Sequence, residues 1–249
     1  MVVQFSIVPR KALLLAMALW AVFAVDEDQK LKAKLFASYS ADVLPSLPLN
    51  VSMQINILSI ETLDIVTGTA KLSVFLRSEW IDPALTWNPS DYGGQEYTYY
   101  PTEAILSKPI YVPEIYCSTC LSNSFTFTRA RGNYTGGVFW SRYGTITILV
   151  PFSVENFPYD SQTIGMNFYL WGLPRSMIAL WPMDPLILMD PENYISNVEW
   201  DITEFNHHVF TQIQRGKSRP LRASVQEWRC RASTCRSRRS GSRRRWRRA

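Results

Sequence analysis

The chain has 249 residues, of which 47% are hydrophobic and 13% aromatic, so it can bury one sizeable core and is not disordered over most of its length. Its formal net charge is +5, but this value combines two regions of opposite sign. Residues 215–249 contain fourteen Lys or Arg and one acid, which leaves 12 basic and 20 acidic residues, a net charge of −8, for residues 1–214. An acidic folded body therefore precedes a basic tail.

The first segment predicts a secretory leader. Two basic residues precede an apolar run over 12–24, and small residues at its end favour cleavage after Ala24. A membrane anchor is the alternative, but the run of about thirteen residues is shorter than the roughly twenty that a spanning helix needs. We therefore expect residues 1–24 to be a signal peptide and the protein to enter the secretory pathway.

Other features of exported proteins follow in the mature chain. N-glycosylation sequons begin at Asn50 and Asn133. Cys117 and Cys120 form an isolated C-x-x-C, which in an oxidising compartment is either a local disulfide or two ordinary thiols rather than a zinc site. The sequence contains no other set of metal-binding residues at a recognised spacing, so we expect neither a metal nor a cofactor.

Hydrophobic periodicity predicts a short helix followed by strands. Leu31, Leu35, Phe36 and Tyr39 recur at helical spacing. The period then changes to two, which predicts strands over 51–57, 70–77, 145–152, 164–171 and 198–205. Turn residues separate these strands, so the pattern indicates an all-β, immunoglobulin-like antiparallel β-sandwich with a short N-terminal α-helix.

Two of these strands carry large side chains on the parity opposite to the core. In the second strand the even-numbered residues form the apolar set, which leaves Phe75 on the other face beside Arg77. In the fourth strand the even-numbered set again forms the core and leaves Tyr169 and Trp171 opposite. Such aromatics are either half-buried on a covered second face or part of a recognition site, and the pattern leaves both alternatives open.

One motif resembles a known family. Trp80, Asp82, Leu85 and Trp87 follow a W-x-D-x-x-L-x-W pattern, which resembles a segment of the Cys-loop receptors, the pentameric neurotransmitter-gated channels. The resemblance covers about residues 29–212, the extracellular ligand-binding domain, and the soluble acetylcholine-binding proteins share it. The resemblance therefore implies a ligand-binding domain over 25–212.

A second motif resembles the F-P-F-D core of the family's signature loop, with the residues Phe157, Pro158, Tyr159 and Asp160. The resemblance places the two loop cysteines at Val150 and Ile164, and neither residue is a cysteine. A disulfide that closes about fifteen residues stabilises a fold by about 3 kcal/mol. We therefore expect apolar packing to hold this loop instead.

The resemblance also implies a ligand site between subunits. It places Trp171 and Ser118 on the principal face, where Ser118 replaces a tyrosine of the family. Tyr169, which shares the off-core face with Trp171, and Tyr116, which lies close to Ser118 in the sequence, are further candidates. The resemblance places Phe75, Arg77, Phe139 and Ser141 on the complementary face. Aromatic rings attract ammonium groups, whereas Arg77 favours a carboxylate unless it is a solvated or salt-bridged strand residue, so the charge of the ligand stays open.

The resemblance ends after residue 212. Residues 213–249 show no adjacent cysteines and no apolar alternation, so we expect a disordered basic tail in place of the family's last hairpin and strand, as in a truncated, frame-altered or spliced product. Its basic residues favour polyanions in a salt-dependent way, but an exported protein rarely meets nucleic acid, and we expect no nucleic-acid partner.

These features predict a ligand-binding domain that assembles with like subunits into a homo- or hetero-pentamer and binds a small amine or amino-acid ligand. The alternative is a secreted, soluble binder similar to the acetylcholine-binding proteins. We expect an extracellular location, or the plasma membrane in a full-length form, with membrane attachment only through a missing transmembrane region or partner subunits. Catalysis is not expected, because the sequence offers no nucleophile motif or paired carboxylates.

Overall fold

The computed structural model shows one short helix and eleven strands in the part of the chain that it describes. The helix α1 covers 27–35, and a 3-10 turn covers Pro89–Tyr92. The strands are β1 (Leu49–Asp64), β2 (Thr69–Thr86), β3 (Tyr97–Tyr100), β4 (Ile115–Cys117), β5 (Cys120–Phe125), β6 (Ala130–Asn133), β7 (Thr135–Leu149), β8 (Ser161–Leu170), β9 (Ile178–Pro182), β10 (Trp200–Arg215) and β11 (Pro220–Thr234). The described residues are 27–102, 110–155, 161–170, 174, 176–183, 193–197, 199–215 and 220–234. The predicted signal peptide lies outside them.

These strands form two hydrogen-bonded sheets. The seven-stranded sheet has the order β3-β6-β7-β2-β1-β9, with β5 also paired to β7, and the four-stranded sheet has the order β10-β11-β8-β4. The pairs β1–β2, β8–β11 and β10–β11 are antiparallel, whereas β1 and β9 are parallel. The protein is therefore an all-β sandwich with a short N-terminal helix, as the sequence predicts.

The chain divides into two compact units. The first is drawn from Met1–Pro45, Asp82–Tyr111 and Arg129–Val138, and the second from Ser46–Ile81, Val112–Thr128 and Phe139–Ala249. The first unit contains α1, β3 and β6. The second contains most of β2 and β7 and all of the other strands.

Alternate side chains form the core of the second unit. The buried sets are Val51, Met53, Ile55 and Ile57 on β1, Ala70, Leu72, Val74 and Leu76 on β2, and Ile164, Met166, Phe168 and Leu170 on β8. Each fully buried aliphatic side chain contributes about 1.5–3 kcal/mol. The predicted core sets of these three strands are confirmed.

A tyrosine–aspartate contact anchors the segment after α1 within the first unit. The Tyr39 hydroxyl donates to Asp82 Oδ2 (2.6 Å) and accepts from the Tyr111 amide (2.8 Å). Burial raises the pKa of Tyr39, and the carboxylate beside it raises it further. Burial also raises the pKa of Asp82, although the hydrogen bond from Tyr39 opposes this effect. Asp82 of the W-x-D motif is thus a structural residue.

The rest of this motif builds a turn. The Trp87 indole donates to Gln95 O (2.7 Å), and Asn88 caps the 3-10 turn by accepting from the Ser90 amide. Gly136 has φ +84°, and a Cβ on it would lie 2.5 Å from Asp82 O, so only glycine fits this approach. The motif therefore specifies backbone geometry in the first unit.

The C-terminal region differs from the prediction of a disordered tail. Strand β10 continues to Arg215, and Pro220–Thr234 forms β11, which pairs with β10 on one side and β8 on the other. The expectation therefore fails for residues 220–234, while 235–249 lie outside the described residues. The short alternation of Leu221, Ala223 and Val225 with polar residues is typical of a strand, and pairing on both sides satisfies the backbone polar groups.

Removing the Tyr39 hydroxyl tests the tyrosine–aspartate contact. We expect Tyr39→Phe to lower the free energy of unfolding by about 1–3 kcal/mol, because the buried carboxyl of Asp82 loses one of its hydrogen-bond donors. Chemical denaturation followed by Trp fluorescence measures the change. Tyr99→Phe is the matched control, since Tyr99 is 54% exposed and should change stability by less than about 0.5 kcal/mol. Equal losses in both variants would contradict the role given to Tyr39.

Candidate functional site

A first aromatic group lies on β2 and β7, on the face opposite to the core of β2. The ring of Phe75 meets that of Tyr143 edge-on, with centroids 5.8 Å apart, and the guanidinium of Arg77 lies 5.6 Å from the centroid of Phe75. Phe75 and Arg77 are half-buried, and Tyr143 is 43% exposed. We call these three residues the β2–β7 group.

The neighbouring strand β1 covers one side of this group with two buried amides. Gln54 lies opposite Arg77 and Asn56 lies opposite Phe75 in the β1–β2 register. Both are 1% exposed, and Gln54 Nε2 donates to Asn56 Oδ1 (3.0 Å). Since buried amides need hydrogen-bond partners, this face of the sheet is more closely packed than the polar alternation of β1 suggests.

The other two predicted positions of this face, Phe139 and Ser141, share the odd-numbered face of β7 with Tyr143. Both are half-buried, and Thr128 Oγ1 donates to Ser141 O (3.0 Å). Tyr143 was missed by the sequence reasoning, although its parity matches that of the two predicted residues. The adjacent Arg142 points to the other face of β7. Its guanidinium carbon lies 4.0 Å from the centroid of the Trp140 ring, and burial lowers its pKa to about 10.

A second aromatic pair lies on β4 and β8. Tyr116 and Tyr169 are register partners, and their ring centroids are 5.7 Å apart with planes inclined at 53°. Burial raises the pKa of Tyr169, and Tyr116 raises it further. Tyr116 is 57% exposed. We call these residues the Tyr116–Tyr169 pair.

The predicted position Ser118 lies in a turn next to this pair. Its amide donates to Asn167 O (2.9 Å), and the flanking Cys117 and Cys120 form a disulfide. Of the two states that the sequence left open for these cysteines, the structure has the disulfide. Trp171, the remaining predicted residue of this face, lies outside the described residues.

Comparison with protein families gives a match over most of the chain. Residues 28–226 match the neurotransmitter-gated ion-channel ligand binding domain. The chain belongs to this family. The match extends past residue 212, the predicted end of the domain, into β11.

Curated relatives of the chain are subunits of acetylcholine receptors. The human neuronal acetylcholine receptor subunit alpha-3 is 28% identical over 202 residues, which are 78% of this chain and 39% of the relative. The human subunit alpha-5 is 31% identical over 72% of this chain and 38% of the relative. The Drosophila melanogaster subunit beta-like 2 is 30% identical over 53% of this chain and 26% of the relative. The chain thus spans less than two fifths of the length of these relatives.

The signature loop of this family member is held at its base without a disulfide between its two predicted cysteine positions. Val150 and Ile164 are both buried, as expected for apolar packing. The side-chain amide of Gln162 adds two hydrogen bonds to the backbone of Ser153, at 2.6 and 3.1 Å. The loop core, Phe157, Pro158, Tyr159 and Asp160, lies outside the described residues.

No cluster of three or more His, Cys, Asp or Glu suited to a metal ion occurs within the described ranges. In the same ranges, no helix has both the length and the apolar character needed to cross a membrane.

The edge-on contact between Phe75 and Tyr143 should give a measurable coupling energy. A double-mutant cycle with Phe75→Ala and Tyr143→Ala is expected to give about 0.5–1.5 kcal/mol by urea denaturation. A control cycle with Phe75→Ala and Tyr116→Ala should give a value near zero, because the ring of Tyr116 contacts Tyr169 instead. A coupling of zero for the first pair would mean that these rings do not interact in solution.

Proposed function

We propose that this chain is the extracellular ligand-binding domain of a pentameric ligand-gated ion channel subunit. In this proposal it binds a small amine or amino-acid ligand at the interfaces between subunits. The observation that carries the proposal is the grouping of aromatic side chains off the core of the sandwich in a member of this family. The relatives' names, which are acetylcholine receptor subunits, support a ligand of this chemical class.

The β2–β7 group would form one side of each interface site. Phe75 and Tyr143 offer ring surface, and Arg77 adds five donors that suit a carboxylate. Phe139 and Ser141 would extend this side along β7. The buried amides of Gln54 and Asn56 on β1 would flank this group on one side.

The other side would consist of the Tyr116–Tyr169 pair together with Trp171. Ring faces attract an ammonium by about 0.5–2 kcal/mol each, and more when water is excluded. Ser118 would leave this side with one ring fewer than the family's pattern. Catalysis is not part of the proposal, because binding of this kind needs only complementary contacts.

Export through the predicted signal peptide would bring the domain to the cell exterior, or to the plasma membrane in a full-length form. Asn50 supports this location, since it is exposed on β1 and accepts a hydrogen bond from the Trp181 indole at 3.1 Å through Oδ1. The amide nitrogen, which carries an N-linked glycan, is a different atom. Asn133 likewise uses Oδ1 to accept from the Thr135 hydroxyl (2.7 Å).

The proposal is tested on the secreted full chain by light scattering and by Trp fluorescence during ligand titration. We expect a pentamer whose emission changes with acetylcholine, a quaternary ammonium, or with γ-aminobutyrate, a zwitterion. If the ligand is a zwitterion, Arg77→Gln should weaken its binding about 10-fold or more, because a charge-assisted hydrogen bond is lost. The same substitution should leave acetylcholine binding equal or tighter.

Arg131→Gln is the matched control, because Arg131 also lies over an aromatic ring, that of Tyr97 at 5.3 Å, but outside the proposed site. It should change neither affinity. Phe75→Ala should weaken whichever ligand binds. A monomer without any fluorescence response, or a pentamer whose binding is unaffected by Phe75→Ala and Arg77→Gln, would contradict the proposal.

A further inference from the structure

A disulfide joins the two sheets beside the Tyr116–Tyr169 pair. Cys117 ends β4, in the four-stranded sheet, and Cys120 begins β5, which pairs with β7 of the seven-stranded sheet. The two residues are bonded through their sulfurs, with a sequence separation of 3 and Cα atoms 5.4 Å apart. A very short covalent link thus connects strands of different sheets.

Hydrogen bonds from the turn within this link reach both sheets. The backbone amide of Asn167 on β8 donates to Thr119 Oγ1 (3.2 Å), and the backbone amide of Ser118 donates to the Asn167 carbonyl oxygen (2.9 Å). On the other side, the Leu149 amide of β7 donates to Thr119 O (3.3 Å). The turn at 118–119 therefore contacts β8 and β7 together.

Tyr116 lies on a short strand directly before this link. Strand β4 has three residues, so few ladder hydrogen bonds hold it against β8. Tyr116 is 57% exposed, and core packing therefore restrains its ring weakly. The disulfide begins at the next residue, Cys117, and fixes the end of the strand that presents Tyr116 to Tyr169.

We propose that the Cys117–Cys120 disulfide positions Tyr116 against Tyr169, and that reduction of this bridge by a dithiol weakens ligand binding. The ligand part rests on the function proposed above, in which these tyrosines form one side of the site. Both cysteines are half-buried and the adjacent Leu121 is 55% exposed. The bridge therefore belongs to residues that are partly exposed to solvent.

The reduction transfers two electrons and two protons to the protein. A thiolate of the dithiol attacks one sulfur, forms a mixed disulfide and releases the other cysteine, which takes up a proton. The second thiol of the reagent then displaces the remaining cysteine, and the reagent leaves as a cyclic disulfide. The bridge closes very few residues, so its loss changes the entropy of the unfolded chain less than the loss of a bridge across a long loop would. We therefore expect reduction to change the structure around the turn and to leave the rest of the fold intact.

Hydrogen exchange on the ligand-free full chain tests the positioning. With dithiothreitol we expect the amides of Ser118 and Asn167 to exchange about 10-fold faster or more, because the turn that pairs them is released. Residues 51–57 of β1 serve as the internal control and should keep their rate. An unchanged rate at Ser118 and Asn167 after complete reduction would overturn the proposal.

Two cysteine variants separate this bridge from the other two cysteines. Cys230→Ser/Cys235→Ser should respond to dithiothreitol in the same way as the unmodified chain. Cys117→Ser/Cys120→Ser should show fast exchange in the turn without the reagent and no further response to it. A response that disappears in the first variant and persists in the second would overturn the assignment.

Ligand titration then connects the bridge to the site. Reduction should weaken the affinity for the responsive ligand about 2- to 10-fold, the range of one aromatic contact, and should have no effect in Tyr116→Ala. An equal loss in Tyr116→Ala would overturn the proposal, because the bridge would then act without this ring. If no ligand binds either redox form, the proposed function fails and with it the ligand part here, and the exchange result alone decides the positioning.

Discussion

The burial of alternate side chains on β1, β2 and β8 determines which residues of this domain can form a site. Slipping β2 by one residue would move Leu72, Val74 and Leu76 to the other face, at a cost of about 1.5–3 kcal/mol for each large side chain exposed. The register is therefore strongly specified. Once the register is set, Phe75 and Arg77 must share the opposite face of β2. The packing of the core therefore determines which face of the strand carries the candidate site.

The residues that make the family recognisable serve mainly the fold. Trp80 and Leu85 are buried, Asp82 accepts the hydrogen bond of Tyr39, and Asn88 caps a turn. None of them belongs to either aromatic group. The motif residues therefore determine the fold. Which ligand can bind depends on other residues, and the fold does not require a particular amino acid at those positions. Family membership and ligand identity are for this reason separate questions.

Local patterns predicted the helix and the cores of β1, β2 and β8, because the alternation of buried and exposed positions in one element appears as a period in consecutive residues. They failed for β11, where basic residues obscure a short alternation and pairing with two distant strands stabilises the segment. They also missed Tyr143, since its contact with Phe75 joins strands far apart in sequence. The C-x-x-C pattern left two states open, and only the structure, in which Cys117 and Cys120 lie on strands of different sheets with their Cα atoms 5.4 Å apart, decides for the disulfide. Trp171 stays a prediction.

The guanidinium of Arg77 constrains how a ligand could be oriented in the proposed site. The guanidinium of Arg77 already lies over the ring of Phe75, so an ammonium approaching that ring would compete with it and be repelled. Tyr116 and Tyr169 offer two ring surfaces in contact with each other, and ring faces attract an ammonium. An ammonium is therefore favoured at the tyrosines and a carboxylate at Arg77. If the faces of neighbouring subunits meet as we propose, a zwitterion would pair both of its charged groups, whereas a simple amine would pair its charge only with the tyrosines and contact Phe75 through its apolar part.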